Sequence, residues 1–342
     1  MGNIDLSFAI ASNPRSRPII SGRVRPQGID LHCSTIHASE LFWRQLGFQE
    51  FELSEMSMSS LLIAISRGID TFVGIPIFTT RNFFHTGVLV RDDAGINEPA
   101  DLAGKKVGVP EYQQTAALWA RGILQHEYGV DPKDLHWFME RPPEKSHGGA
   151  TGFDPSEIGI DLQYIPRDTD MGAMLASGEL DAALHYLAGT NNLVDRSSRT
   201  FGPGSGVRPL FDARVESARY FAKTGIYPVN HCVAIRRDVL EAHPWIPLNL
   251  YSAFLEAKAL AAAESLGGGV SSTISASGLD PFLDTGTVGV DVQQALATDL
   301  FPYGVQANRD LLETILLYSY EQGLSKRHLA LEDVFYAPTL EL

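Results

Sequence analysis

Cysteine is nearly absent from this chain: Cys33 and Cys232 are the only two among 342 residues. They lie far apart and without metal-type spacing. A disulfide framework or thiolate metal site therefore has no basis in sequence, and two buried free thiols are expected. Positive charge is also scarce. The 27 Lys and Arg face 41 Asp and Glu, a formal net charge of −14, which argues against nucleic acid or an anionic membrane as main partner. No apolar run approaches the ~20 residues a membrane helix needs. The phosphate-binding glycine fingerprint, His-Glu-x-x-His and the nucleophile elbow are all missing, which removes support for dinucleotide binding, zinc proteolysis and covalent-serine chemistry. There is no internal repeat. The first residues, MGNIDLSFAIASN, read directly as strand and turn, with no basic segment, apolar segment or cleavage site. The expectation is a cytoplasmic protein.

What is present is globular: 44% apolar and 20% charged residues, in a chain too long for one ordinary core and about right for two lobes. Strand and helix patterns alternate. Strands are expected at Ile4–Ile10, Ile29–Cys33, Phe51–Leu53, Phe72–Phe78 and Thr86–Val90, with helices at Ala38–Leu46 and Ser57–Ser66. Val107–Val109 leads into a helix over Glu111–Tyr128, ended by Gly129. Leu162–Ile165 and Ala182–Leu187 read as strands flanking a helix at Met171–Ser177. Residues 141–160, rich in Pro, Gly and charge, read as a long surface loop, as does Asn191–Gly206. Cys232–Ile235 is the return strand, followed by helices at Pro247–Ala263, Asp291–Thr298 and Asn308–Gln322, with a mobile Gly/Ser stretch at Gly267–Gly278. The expected lobes are 1–105 with 228–342, and 106–227. Each is a mainly parallel sheet flanked by helices, with a ligand cleft between them.

In such sheets ligands sit beyond the carboxyl ends of strands, near helix N-termini. Polar residues just after strands are therefore the site candidates. After the first strand come Asn13, Arg15 and Arg17, where two arginines can form a fork for carboxylates or a solvated turn. After the third come Ser54, Glu55 and Ser57. Their hydroxyls and amides suit an anion, and Glu55 suits an acid if burial raises its pKa, or a helix-end complement if not. Arg81, Phe84 and His85 combine a cation, a ring and an imidazole, as an aromatic acid requires, or as a core with one structural histidine would. Glu111, Tyr112, Gln114 and Thr115 open a helix whose first amides lack internal partners. His185 ends a strand and His231 precedes the return strand. His147, beside Gly148-Gly149, could reach the cleft from its loop.

These segments resemble a known family. Arg23-Val24-Arg25-Pro26-Gln27-Gly28-Ile29-Asp30, Glu40-Leu41-Phe42-Trp43-Arg44, Phe51-Glu52-Leu53-Ser54-Glu55-Met56-Ser57, Ile75-Pro76-Ile77-Phe78 and Arg81-Asn82-Phe83-Phe84-His85 resemble the 4,5-dihydroxyphthalate decarboxylases. So do the run from Asp101 to Ala116 and Thr224-Gly225-Ile226-Tyr227-Pro228-Val229-Asn230-His231. The resemblance spans about residues 4–260, weakly over 140–215. It implies a type II periplasmic-binding-protein-like fold and non-oxidative decarboxylation of a hydroxylated aromatic, phthalate-type acid in aromatic catabolism. On that reading Arg15, Arg17 and Arg81 hold carboxylates. His85 or Glu55 donates the proton, with His231 next, and Ser54, Ser57, Gln114 and Thr115 orient the ring. The partner is a small anionic aromatic substrate. No cofactor is expected, while a divalent metal and a homo-oligomer are left open. The alternative is a binding or sensing protein for an aromatic carboxylate with the same cleft and no acid. A third class, synthases of thiamine-precursor type, would need a pyridoxal-phosphate lysine, and none of the seven lysines falls convincingly in the cleft.

Overall fold

The structure, a computed structural model, describes residues 2–267 and 299–342. Apart from Gly267, the Gly/Ser stretch lies outside those residues, as does the helix expected at Asp291–Thr298. The first lobe starts with β1 (Ile4–Ala9), α1 (Arg17–Ile20), β2 (Ile29–Ser34), α2 (Ala38–Phe48), β3 (Leu53–Ser57), α3 (Met58–Ser66) and β4 (Phe72–Arg81). The second holds β5 (Val88–Arg91), β6 (Lys106–Val109), α4 (Thr115–Tyr128), β7 (His136–Met139), α5 (His147–Ala150), β8 (Leu162–Tyr164), α6 (Met171–Ser177), β9 (Ala182–Leu184), β10 (Val207–Pro209) and α7 (Ala213–Thr224). The chain then returns through β11 (Val229–Arg236), α8 (Arg237–Ala242) and α9 (Ile246–Gly267), and closes with α10 (Arg309–Glu321) and α11 (Leu331–Val334).

Sheet order is β2-β1-β3-β11-β4 in lobe one and β10-β5-β9-β6-β7-β8 in lobe two. Both sheets are mainly parallel, and in each the strand that enters from the hinge runs against the rest. β11 is antiparallel to β3 and β4, and β5 is antiparallel to β9 and β10. The reason is directional. The other strands end at the cleft, whereas a crossing strand begins there.

Because β5 belongs to the second sheet, the first crossing occupies residues 82–87. The boundary expected at 105/106 comes one strand too late. The polar run after β5 resembles a linker but is a surface turn within lobe two. The two crossings touch: Asn82 N donates to Pro228 O at 3.1 Å, and the Phe83 ring stacks on Tyr227 at 4.8 Å.

Local chemistry accounts for the elements that frame the cleft. The burial pattern of β4 is almost continuous, as expected for a strand covered on both faces. Pro76 is tolerated there because β4 is an edge strand in the first sheet. Gly74 is needed because a Cβ would stand 2.9 Å from Val334 O. Helix α4 ends at Gly129, whose φ of 68° is left-handed. Gly122 in its interior lies where a Cβ would be 2.1 Å from the Tyr318 ring of α10. That close approach lets α10 pack along both α4 and α3, tying the backs of the lobes together. Trp119, fully buried, adds a hydrogen bond from Nε1 to Val229 O at 2.8 Å.

Candidate active site

Helices α2, α3 and α4 all begin at the cleft, so their positive dipole ends converge on one space. A cavity of about 170 Å³ lies there, lined among others by Ser39, Phe42, Ser57, Gln114, Thr115 and Arg141, with four imidazoles, His37, His147, His185 and His231. The α3 end is capped by Ser57, whose Oγ shares a hydrogen bond with Thr115 Oγ1 at 2.9 Å. Thr115 Oγ1 also accepts Ser59 N at 3.0 Å. The α4 end has no side-chain cap. Gln114 stands at that end, buried, with its Nε2 unpartnered among the described residues.

Two carboxylates lie under the cleft walls. In lobe one, fully buried Glu55 takes His231 Nδ1 at 2.8 Å, Ala11 N at 2.8 Å and the Thr79 hydroxyl. Burial pushes its pKa up, but His231 and these donors outweigh it and hold the carboxyl below its ordinary range. His231 Nδ1 therefore faces the carboxylate, which leaves Nε2 as the nitrogen available to the cleft.

In lobe two, fully buried Glu111 is saturated. It takes His147 Nε2 and Arg141 Nη1, each at 2.9 Å, Gly148 N at 2.9 Å, and the side chains of Ser146 and Gln113. Against the penalty of burial, His147 and Arg141 bring its pKa down to about 2. His147 spends its other nitrogen on Ser60 of α3. Arg141 also binds Asp195 at 2.6 Å and, across the cleft, Ser39 Oγ at 2.7 Å. Its charge is thus matched by two buried carboxylates. Phe42 stands between the two walls, with its ring edge-on to His231 at 4.7 Å and to His147 at 5.9 Å.

Of the residues singled out from sequence, Ser57, Gln114, Thr115, His147, His185 and His231 line the cavity, and Glu55 and Glu111 lie directly behind its wall. The others are elsewhere. His85 is fully buried in lobe two, with Nε2 on Glu216 at 2.9 Å and rings of Phe83, Phe211 and Tyr220 around it. Burial keeps its pKa below the usual histidine range despite that carboxylate.

None of the three arginines lines the cavity. Arg15 is buried over the Phe301 ring at 3.8 Å and donates to Thr79 O. Arg81 is spent on Tyr227 O, Pro302 O and Asn308 Oδ1. Arg17 is exposed on α1. Asn13 uses its side-chain oxygen on Arg15 N and Ser16 N. Ser54 is buried inside β3, Tyr112 stacks on Arg121 at 3.6 Å, and Phe84 is a core ring 5.7 Å from His185.

Sequence reasoning missed Arg141, Ser39 and Asp195, and treated 141–160 as a surface loop. The segment is polar because Glu111 draws its hydroxyl, imidazole and guanidinium inward: Arg141, Ser146, His147 and Thr151 are all buried. The available signal was several donors in a short loop together with an isolated Glu at the head of a helix. Among the described residues, no three His, Cys, Asp or Glu are placed to hold a metal ion.

Comparison with known proteins agrees with this architecture. Residues 50–139 match the family described as NMT1/THI5 like. A 4,5-dihydroxyphthalate decarboxylase from Comamonas testosteroni is 30% identical, over all of this chain and 99% of its own. One from Pseudomonas putida is 32% identical over 54% of this chain and 71% of its own. Among solved structures, the alkanesulfonate-binding protein SsuA from Xanthomonas axonopodis pv. citri bound to MOPS has a TM-score of 0.53 at 12% identity, covering 98% of this chain and 99% of its own. The desulfurization enzyme DSZB has 0.52 at 18%, covering 98% and 97%. At those identities the structural likeness speaks for the fold alone, which is that of the type II periplasmic binding proteins.

Proposed function

Since the chain belongs to the 4,5-dihydroxyphthalate decarboxylase family, we propose that it is a carboxy-lyase acting on a hydroxylated aromatic dicarboxylic acid, with His231 as proton donor and Glu55 as the group that positions and charges it. The observation that carries this reading is the His231–Glu55 pair opening onto a cavity where three helix N-termini meet. An anion needs donors, and the uncapped first-turn amides of α4 with Gln114 Nε2 supply them without a free arginine, while the α2 and α3 ends add their dipoles. The aromatic ring lies against Phe42.

In 4,5-dihydroxyphthalate each carboxylate is para to a hydroxyl, which enriches the carbon that bears the carboxylate. His231 Nε2–H delivers its proton to that carbon. The carbon–carboxylate bond then breaks, carbon dioxide leaves, and the bonding pair restores the aromatic ring. The product is 3,4-dihydroxybenzoate, and the imidazole takes up a proton from water. Glu55 stabilises the imidazolium and fixes its tautomer, as a buried carboxylate behind a histidine does. A substrate that fills the small site displaces water that would compete for the proton.

The test is carbon dioxide release from 4,5-dihydroxyphthalate by the purified protein and by His231→Gln. We expect the wild type to release it and the variant to lose at least about 100-fold in kcat while still binding the ligand. A variant with unchanged turnover removes His231 from this role. The fold likeness to SsuA supports a second reading, a binding protein without catalysis. Ligand-induced thermal stabilisation with no release from any hydroxylated aromatic acid selects it.

A further inference from the structure

Resting on the decarboxylase reading, the geometry points to His185 as the residue that receives the ring hydroxyl and sets the preference for hydroxylated over unsubstituted aromatic dicarboxylates. Three features of the cavity separate His185 from the other imidazoles that line it.

The first is its backbone. His185 follows directly after β9 and has a φ of 53°, one of two left-handed non-glycine residues among those described. Such a conformation is unfavourable for a bulky side chain and is retained where the surroundings impose it. The second is its free hydrogen-bonding capacity. His147 is bound through both nitrogens, to Ser60 and Glu111, while His231 and His37 are each held at Nδ1, by Glu55 and by Ser39 N with Asn192. Among the described residues, no group hydrogen-bonds the His185 ring, which meets only the edge of Phe84. The third is its charge state. Burial, reinforced by the Arg141 charge, pushes its pKa down to about 4, so the ring is uncharged at neutral pH.

An uncharged imidazole has one lone pair and one N–H. A carboxylate has no proton to give to that lone pair, whereas a phenol has one. The helix amides elsewhere in the cavity are donors only and suit carboxylates. Within this cavity the His185 lone pair therefore matches a hydroxyl.

The placement also fits the chemistry. His185 reaches the cavity from lobe two and His231 from lobe one. As His231 Nε2 gives its proton to the ring carbon, the hydroxyl proton passes to the His185 lone pair, and the oxygen becomes a carbonyl conjugated through the ring. When the carbon–carboxylate bond breaks, its electron pair rearomatises the ring, the oxygen recovers the proton from His185, and carbon dioxide departs. No oxidant or co-reactant is needed.

The experiment is calorimetric titration of 4,5-dihydroxyphthalate and 4,5-difluorophthalate, which share a substitution pattern but differ in the O–H donor. The proteins are the wild type, His185→Asn, which keeps a residue tolerant of left-handed backbone, and His185→Gln. The wild type should prefer the dihydroxy compound by about tenfold or more. Both variants should bind the two compounds within about twofold of each other, with difluorophthalate affinity changed less than about threefold. A wild type with no preference, or with no binding of either compound, overturns the inference irrespective of how the variants fold. Folded variants that keep the preference, or lose both ligands equally, also overturn it. Carbon dioxide release by the wild type is scored separately. Its absence beside a His185-dependent preference sinks the decarboxylase reading and leaves hydroxyl recognition standing.

Discussion

Replacing Glu55 by Gln removes one negative charge from a fully buried site while nearly preserving shape. The lost carboxylate oxygen stands 2.8 Å from His231 Nδ1, and its partner oxygen is fixed by Ala11 N at 2.8 Å. A donor at Ala11 forces the new amide to turn its oxygen there. Its NH2 then faces His231, which must present a lone pair and keep its hydrogen on Nε2. The neutral ring is accommodated and the imidazolium is opposed. With charge centres about 4 Å apart and an effective dielectric near 20, the lost attraction is about 4 kcal/mol. Residual solvation of the imidazolium reduces this to about 2–4 kcal/mol, or roughly 30- to 1,000-fold in kcat at neutral pH. The assay is carbon dioxide release under saturating 4,5-dihydroxyphthalate, with Kd by calorimetry. The expected pattern is a large fall in kcat and a Kd within about threefold of wild type. A variant within threefold of wild-type turnover would refute the assignment, as would one that loses binding in proportion to rate.

Glu111 offers a test of stability against pH. Its folded pKa, about 2, lies below the ordinary carboxylate value of 4.5. Its stabilisation is therefore fully present above about pH 4.5 and is lost as pH falls from there through 2, by about 3 kcal/mol in all. Urea titrations between pH 6 and 3 should show about 2 kcal/mol of that loss, and Glu111→Gln should be less stable than wild type by about 3 kcal/mol at pH 7 and less pH-sensitive; a variant that follows the wild-type curve refutes this. Gly122→Ala should destabilise by about 1–3 kcal/mol, although alanine favours helices, because the new methyl meets Tyr318; an unchanged denaturation midpoint would show that α10 yields. Exhaustive dialysis against a chelator should leave carbon dioxide release unchanged, because the proposed proton transfers use only the side chains of His231, Glu55 and His185. A loss restored by one divalent ion would require a different mechanism.

The order of strands and helices was legible in the sequence because each follows from local periodicity. Apolar runs of strand length alternated with helical spacing, Ser57 capped α3 and Gly129 ended α4. The family likeness and the two-lobed fold could also be read from the residues, as could the positions of Ser57, Gln114, Thr115 and His231 near strand ends. What the sequence could not determine was which polar groups face inward and with whom. His85 and Arg81 adjoin the right strand, yet the first turns into lobe two against Glu216, 131 positions later, and the second is consumed by carbonyls at Tyr227 and Pro302. Glu55 is held ionised under His231, 176 positions away, rather than raised into an acid. The segment 141–160 has the composition of a loop, yet Arg141, Ser146 and His147 are buried because Glu111 gathers its donors. Each of these outcomes depends on electrostatic and hydrogen-bond partners distant in sequence, and only the tertiary structure decided them.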